Sequence, residues 1–469
     1  MRNIVFVVLI CSIGLGCAEN ENDSMPAPPT TPETSALTAP RSMEVIADEF
    51  LAAYLERHPE IGTNFSLPGA RHDRLLDNSQ EALEAWQARE DKWLTELDSM
   101  GVPTDTGSRD WVSFGVIYET IAASKAIRLC HNELWQASAT TAWYNLIPSL
   151  FEIQPVDTPD LQQQALDRLS ALAVYLDTEI ANLSRGLELG YSTPRLTAIE
   201  VPAAVRGLLT DDTPLLSPAV RAGNPEFTVR LHDVFQQVTA PAIERFASFM
   251  EDEYLPQARE EIAISANPDG ADCYPQLVRQ HTTIAPAAEE IHALGLEQIA
   301  GIRAEMNAII NAHFEGETIE SLMRNLNNKP EYTFKTREDV LNYALASLDA
   351  AENAMSRAFG LLPKADMIIK PYPAYREASG TGEYHSSSED GTRPGIYYIP
   401  VVDPTHRSIA GQQAVLYHEG YPGHHLQGAI ALELGDRIHP IARYLWNSGY
   451  GEGWALYSER LADELGLYS

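Results

Sequence analysis

The sequence predicts a mostly α-helical protein: one large multi-helix domain with a small β element just ahead of a His- and Glu-rich segment. Three observations carry that expectation. From residue 43 onward, apolar side chains recur at steps of three and four, the period of one helix face. Capping residues and glycines bracket these runs where helices start and stop. Residues 365–402 break the habit, with two short β-branched or aromatic runs separated by Gly, Ser and Asp.

At 469 residues and 44% hydrophobic content, the chain can bury a substantial core. Its 66 Asp and Glu against 33 Lys and Arg give a formal net charge of -33. That balance argues against nucleic acid and against docking on anionic lipid, both of which need a basic footprint.

Residues 1–17 read as a lipoprotein-type signal peptide. Arg2 precedes an apolar run from Ile4 to Leu15, shorter than the roughly 20 residues of a membrane-spanning helix. The run closes on Gly16-Cys17, and Cys17 is the expected lipid acceptor, although Gly14 stands where the lipoprotein pattern prefers Leu. Ordinary secretion is the alternative. Residues 18–42, rich in Pro, Thr, Ser and acidic side chains, read as a disordered tether. The expected location is therefore outside the cytoplasm, facing the periplasm or the cell exterior, with membrane contact through the lipid anchor only. Cys11 falls inside the signal, which leaves Cys130 and Cys273 as a candidate disulfide, or else as two buried thiols.

The body, residues 43–469, is expected to be a single helical domain. Over 160–189, Leu169, Leu172, Leu176, Ile180, Leu183 and Leu187 share one face, and Gly190 is a stop signal. The stretch 286–314 repeats the pattern behind Pro286. Thr336 is placed to cap a helix that runs to Gly360, with Glu338 and Asp339 in its first turn. His281 and His292 fall in helical stretches and read as packing or surface residues. Tyr397 and Tyr398 read as strand residues first.

"LYHEGYPGHHLQ" (416–427) is the segment that carries chemistry. Zinc hydrolases use a His-Glu pair with a second His one helical turn on, H-E-x-x-H. Asp403-Pro404 is the expected start of the helix that would deliver it. In an unbroken helix His424 would point about 120° away from His418, and His425 would lie about 10 Å along the axis. Neither could share a zinc with His418 at bonds of about 2.1 Å. Pro422, however, has no N–H for the His418 carbonyl, and Gly420 and Gly423 flank it. "GYPG" is therefore expected to bulge out, which reduces the segment to H-E-x-G-H and makes His424 the second ligand, with His425 as the alternative.

A third ligand is expected downstream, in "GYGEGWALYSERLADELG". Glu452 is the candidate, opening a helix that Trp454, Ala455, Leu456 and Leu461 would pack inward. Glu459, two turns on, shares nearly the same face.

"HEGYPGHHLQ" together with "GEGWALYSERL" resembles bacterial domain-of-unknown-function family 885, placed in the gluzincin clan of zinc metallopeptidases. "RQHTTIAPAAEEIHALGLEQIAGIRAEM" and "SEDGTRPGIYYIPV" also resemble parts of it. The resemblance implies Zn²⁺ held by His418, His424 and Glu452, with Glu419 as general base. It also implies a further helical segment, so a chain ending at "ELGLYS" is expected to be shortened at its C-terminus.

The first functional reading is thus an exported zinc peptidase acting on peptides. A non-catalytic metal-binding or scaffold lipoprotein is the second, favoured by a closed four-ligand site that recruits His425. Hydrolysis of a non-peptide amide is the third.

Overall fold

In a computed structural model of the chain, residues 41–138, 142–372, 377 and 380–468 are described. The signal peptide, Cys11, Cys17 and all but the last two tether residues lie outside them. Arg41 onward forms one compact unit. Among the described residues no helix is long and apolar enough to cross a membrane.

Ser42 caps the first helix, Met43–Arg57, which packs with Gln80–Met100 and Arg109–Ala126 around Phe50, Trp93, Leu97 and Ile117. Next comes the long helix Pro159–Leu189, capped by the Thr158 hydroxyl and closed by Gly190 at φ 85°. Glycine is suited to that left-handed position because it has no Cβ. Its predicted apolar face lies against Ala240–Phe249 and the neighbouring segments, where Leu169, Leu172, Leu176, Ile243 and Phe246 are buried. Arg168 on this helix is fully buried. Its guanidinium donates to the carbonyls of Arg71 and Arg74 and to the side chains of Thr63 and Gln154. Four acceptors around one buried cation tie the 63–74 loop to the helix.

Cys130 and Cys273 form a disulfide, with Cα atoms 5.1 Å apart across a sequence separation of 143. The helix Ala288–His313 forms where expected, but Ile310 is its one described buried residue. Ile291, Leu294, Leu296, Ile299, Ile302 and Ile309 remain exposed. Thr336 caps Arg337–Met355 by accepting the Asp339 N–H at 3.1 Å, and the helix ends short of Gly360.

The β element is a three-stranded sheet of β1 (Met367–Pro371), β2 (Glu383–His385) and β3 (Gly395–Ile399), in the order β1-β3-β2. β3 runs parallel to β1 and antiparallel to β2, which leaves β2 at an edge. Tyr397 is a core residue, fully buried, with its hydroxyl accepting from Gln412 at 2.9 Å. That bond locks the sheet to the helix that carries the motif.

Glu179, on the long helix, bears on stability. It lines a cavity and keeps partial contact with water, yet desolvation pushes its carboxyl up to about 7, opposed only by a hydrogen bond from Asn78. The unfolded chain releases this proton near 4.5. The group therefore lowers stability as pH rises from 4.5 to about 7, and costs nothing below that window. Discounted for its partial solvation, the cost at pH 8 is on the order of 1–3 kcal/mol. Glu179→Gln is expected to raise the melting temperature at pH 8 and leave it nearly unchanged at pH 4. A pH series of melting curves checks this, and a uniform shift at all pH values would contradict it.

Candidate metal centre

The motif helix spans Ile409–Glu419, and its N-cap is Ser408, whose hydroxyl accepts the Gly411 N–H at 3.2 Å. The expected start at Asp403-Pro404 is corrected. Those residues form a separate 3₁₀ turn, Pro404–His406, with Asp403 at φ 49°. An N-cap needs an extended backbone and a free side-chain oxygen. Asp403 lacks the extended backbone, and its Oδ1 is turned to His406 Nδ1 at 2.8 Å.

The expected bulge is also corrected: it is a complete break between two helices. The motif helix stops at Glu419, and a new helix, His424–Glu433, begins at His424. The Gly420 N–H still reaches the Leu416 carbonyl at 2.8 Å, whereas Pro422 has no N–H to continue the ladder. The Tyr421–Pro422 peptide is cis. Trp454 Nε1 donates to the Pro422 carbonyl at 2.9 Å and holds the turn against the C-terminal helix. Gly423 passes so close to the preceding turn that a Cβ there would lie 1.8 Å from the His418 carbonyl oxygen. Only glycine fits.

The break brings the His418 and His424 rings to 4.9 Å between centroids, at 90°. Glu452 comes from the helix Ser448–Glu464, capped by Asn447. It lies in the second turn, not at the opening as expected, because the helix starts at Ser448. Leu456 is likewise exposed where inward packing was expected. The buried seam is Gly451, Ala455, Ser458 and Ala462, small residues that let this helix lie close to the motif helix. Ser458 Oγ donates to the Tyr417 carbonyl at 3.1 Å.

On this scaffold Glu452 Oε2 is 3.3 Å from His418 Nε2 and 3.6 Å from His424 Nε2. All three donor atoms lie within 4.8 Å of one another. Tetrahedral ligands at bonds of about 2.1 Å stand about 3.4 Å apart. The donor set, two imidazoles and a carboxylate, fits Zn²⁺ by type and by spacing.

Glu419 is buried beside the cluster and is not one of its donors. Burial pushes its carboxyl up to about 7, with Glu452 and Glu383 adding to the effect. His418 and the Tyr384 backbone N–H act the other way.

A family model described as bacterial protein of unknown function (DUF885) matches residues 59–469. The chain belongs to that family. No curated protein matches it. Among solved structures, a candidate lipoprotein from Colwellia psychrerythraea is similar at TM-score 0.83 and 22% identity, over 92% of this chain and 79% of that one. A candidate lipoprotein of unknown function from Shewanella oneidensis is similar at TM-score 0.63 and 15% identity, over 91% of this chain and 78% of that one. Both likenesses show that the DUF885 fold described above recurs.

Around the donors of this DUF885 site, the partners of each histidine separate its role. His418 Nδ1 meets Glu459 Oε1 at 2.9 Å, and this bond raises the imidazole's proton affinity above its ordinary value. Desolvation lowers that of His424, whose Nδ1 finds no partner among the described residues. His425 is turned away. Its Nδ1 faces the Tyr384 hydroxyl at 2.9 Å, and its Nε2 lies 3.1 Å from both the Ala365 carbonyl and the Tyr421 hydroxyl. The carbonyl can only accept, so Nε2 carries the proton and Nδ1 accepts from Tyr384. His425 is a fully buried structural residue.

Glu459 carries no assigned task in the sequence. The signal was its seven-residue spacing from Glu452, which puts both on one helix face. Trp446, in edge contact with the His424 ring at 5.8 Å, gave no sequence signal. Among the described residues the His281 ring meets Ser448 Oγ at 3.3 Å, and His292 is exposed.

A second group, Glu44, Asp48 and His439, also has donors within 4.8 Å of one another. It is not a metal site. His439 Nδ1 accepts the Ile441 N–H at 3.2 Å, so a neutral ring carries its proton on Nε2, facing Asp48 at 3.1 Å. Arg109 already pairs with Glu44 at 2.8 Å.

Glu459→Gln is expected to weaken zinc binding about 10–100-fold, the usual cost of losing the carboxylate that orients a ligand histidine. Competitive zinc titration measures it, and an unchanged affinity would remove Glu459 from the site.

Proposed function

We propose that the chain is a zinc-dependent peptide hydrolase of gluzincin type, exported as a lipoprotein. The observation that carries this reading is the convergence of His418, His424 and Glu452, with Glu419 buried beside them and outside the donor set. Three protein donors leave a tetrahedral ion one open position, which catalysis needs and a structural site lacks. When bound, Zn²⁺ supplies Lewis acidity, polarising a carbonyl and acidifying water.

The remaining work belongs to the protein's own side chains. Glu459 fixes the His418 ring so that Nε2 faces the donor cluster. Glu419, its carboxyl raised by burial, accepts a proton from the attacking water and returns it to the leaving amine. The edge strand β2 supports a peptide substrate. Its Tyr384 N–H reaches the Glu419 carboxylate, so a strand edge runs past the proposed base. An extended peptide can add to such an edge through backbone hydrogen bonds.

The closed four-ligand alternative loses its support with His425 turned away from the cluster. Export is supported by the Cys130–Cys273 disulfide, which suits an oxidising compartment. The two similar solved structures, described as candidate lipoproteins, agree with that placement.

Mass spectrometry of a mixed peptide library incubated with the zinc-loaded protein tests the function. Cleavage should stop on chelation and return with zinc. An inert library would overturn the peptidase reading, and turnover confined to non-peptide amides would replace it with the third reading.

A further inference from the structure

A cavity of ≈ 390 Å³ lies between the start of the motif helix and the chain that leads into β2. Its volume falls within the ~300–1,000 Å³ of ordinary small-molecule sites. Gly411 and Val415 line it from the motif helix, Arg407 from just ahead of that helix, and Thr381 from the approach to β2. Strand and helix are in close contact here, since a Cβ on Gly382 would lie 2.7 Å from Val415 Cγ1.

Arg407 sets the chemistry of this cavity. The carboxylates around it are turned to other groups: Asp403 Oδ1 to His406 Nδ1 at 2.8 Å, and Glu377 to Arg337 at 2.7 Å. The Arg407 guanidinium makes no hydrogen bond or ion pair among the described residues. Its Nε is shut inside the protein, whereas the two terminal nitrogens are not, and these are the atoms that can meet a ligand. Burial lowers the group's proton affinity, outweighing Tyr397, Asp403 and Glu377. In a chain of net charge -33, this half-buried cation is left without an anion of its own.

The cavity also lies on the path of a peptide added to β2. That strand pairs with β3 on one side and is open on the other. Antiparallel pairing, the more stable kind, would run the peptide from the His385 end towards Thr381, so its C-terminal side leads to the cavity. From Tyr384, whose N–H reaches Glu419, back to Thr381 is about 10 Å of extended chain at ~3.3 Å per residue. Along the motif helix, from Glu419 back to Gly411 is about 12 Å at ~1.5 Å per residue. Both measures correspond to about three residues of extended peptide.

We propose that Arg407 binds the C-terminal carboxylate of a peptide substrate whose scissile bond lies about three residues upstream, at Glu419 and the metal donors. This inference rests on the peptidase reading and narrows it to cleavage close to a free C-terminus. The terminal guanidinium nitrogens give the carboxylate two parallel charge-assisted hydrogen bonds, and Asn327 and Thr381 in the wall offer neutral donors. An amidated end or the interior of a long chain brings no negative charge to the site.

Peptide libraries with free and with amidated C-termini, incubated with the zinc-loaded full chain, test this. Cleavage is expected about three residues from free C-termini, with kcat/KM at least tenfold lower for the amide of the same sequence. In Arg407→Gln, KM for the acid should rise at least tenfold with kcat nearly unchanged. The amide should be cleaved as by the wild type, which shows that the fold is retained. Arg407→Lys should recover part of the loss, because it keeps the charge. Equal cleavage of acid and amide, or equal loss of both in Arg407→Gln, overturns the carboxylate site and leaves the peptidase reading standing. Calorimetry with N-acetyl-tetraalanine and its amide on zinc-loaded Glu419→Gln reads the site without turnover. Acid binding at least tenfold tighter than amide, and lost when Arg407→Gln is added, upholds the site even if no peptide is cleaved. Equal binding of the two, or none, overturns it.

Discussion

Gly423→Ala is expected to lower zinc affinity at least 100-fold, although it adds a single methyl group. That methyl would lie 1.8 Å from the His418 carbonyl oxygen and 2.4 Å from that of Tyr417. Both atoms are backbone, so relief requires moving the last turn of the motif helix or the first turn of the next. His418 lies in the one and His424 in the other, and a shift of about 1 Å in either spoils a ligand set with bonds near 2.1 Å. A 100-fold loss corresponds to about 2.8 kcal/mol. Gly428→Ala is the control. Its added Cβ meets nothing within 4 Å on the same helix as His424, and alanine favours a helix by up to about 1 kcal/mol. Competitive zinc titration separates the two variants. Wild-type affinity in Gly423→Ala would refute the view that the chain break creates the site.

Glu419→Gln should leave the zinc content at one per chain and lower peptide cleavage by about 10²–10⁴-fold, the usual contribution of a general base. Glutamine keeps the shape and the contact with the Tyr384 N–H but cannot take a proton. The pH profile gives an independent check. Burial raises the Glu419 carboxyl above its ordinary value, so wild-type activity should rise with pH across the titration of that carboxyl, because the ionised form does the work. That limb should disappear from the residual activity of the variant. Loss of zinc in Glu419→Gln would make Glu419 a ligand instead.

Much of this was legible in the sequence because it depended on local rules. The helical period, the Thr336 cap and the Gly190 stop each follow from a few neighbouring residues. The incompatibility of a regular helix with chelation by His418 and His424 is geometry of the same kind. What could not be read depends on contacts between distant segments. The motif helix begins at Ser408, beside which the Ile409 N–H bonds the distant Tyr332 carbonyl at 3.0 Å. "GYPG" is a break rather than a bulge because Trp454, 32 residues after Pro422, holds the turn in place. Counting large apolar residues misplaces Leu456 on the packing face of the Glu452 helix, although it is exposed. Ala455 packs inward as expected, but the close approach to the motif helix also uses Gly451, Ser458 and Ala462, which look neutral in sequence. The exclusion of His425 rests on Tyr384, Ala365 and Tyr421, and no spacing rule could have supplied that set.

The central claim is that His418, His424 and Glu452 hold one zinc ion. Anomalous diffraction from crystals of the purified protein, recorded on either side of the zinc absorption edge, tests it most directly. A single peak should lie about 2.1 Å from Nε2 of His418, Nε2 of His424 and a carboxylate oxygen of Glu452. A peak beside His425, a peak at Glu44, Asp48 and His439, or no zinc signal from zinc-soaked crystals would contradict it.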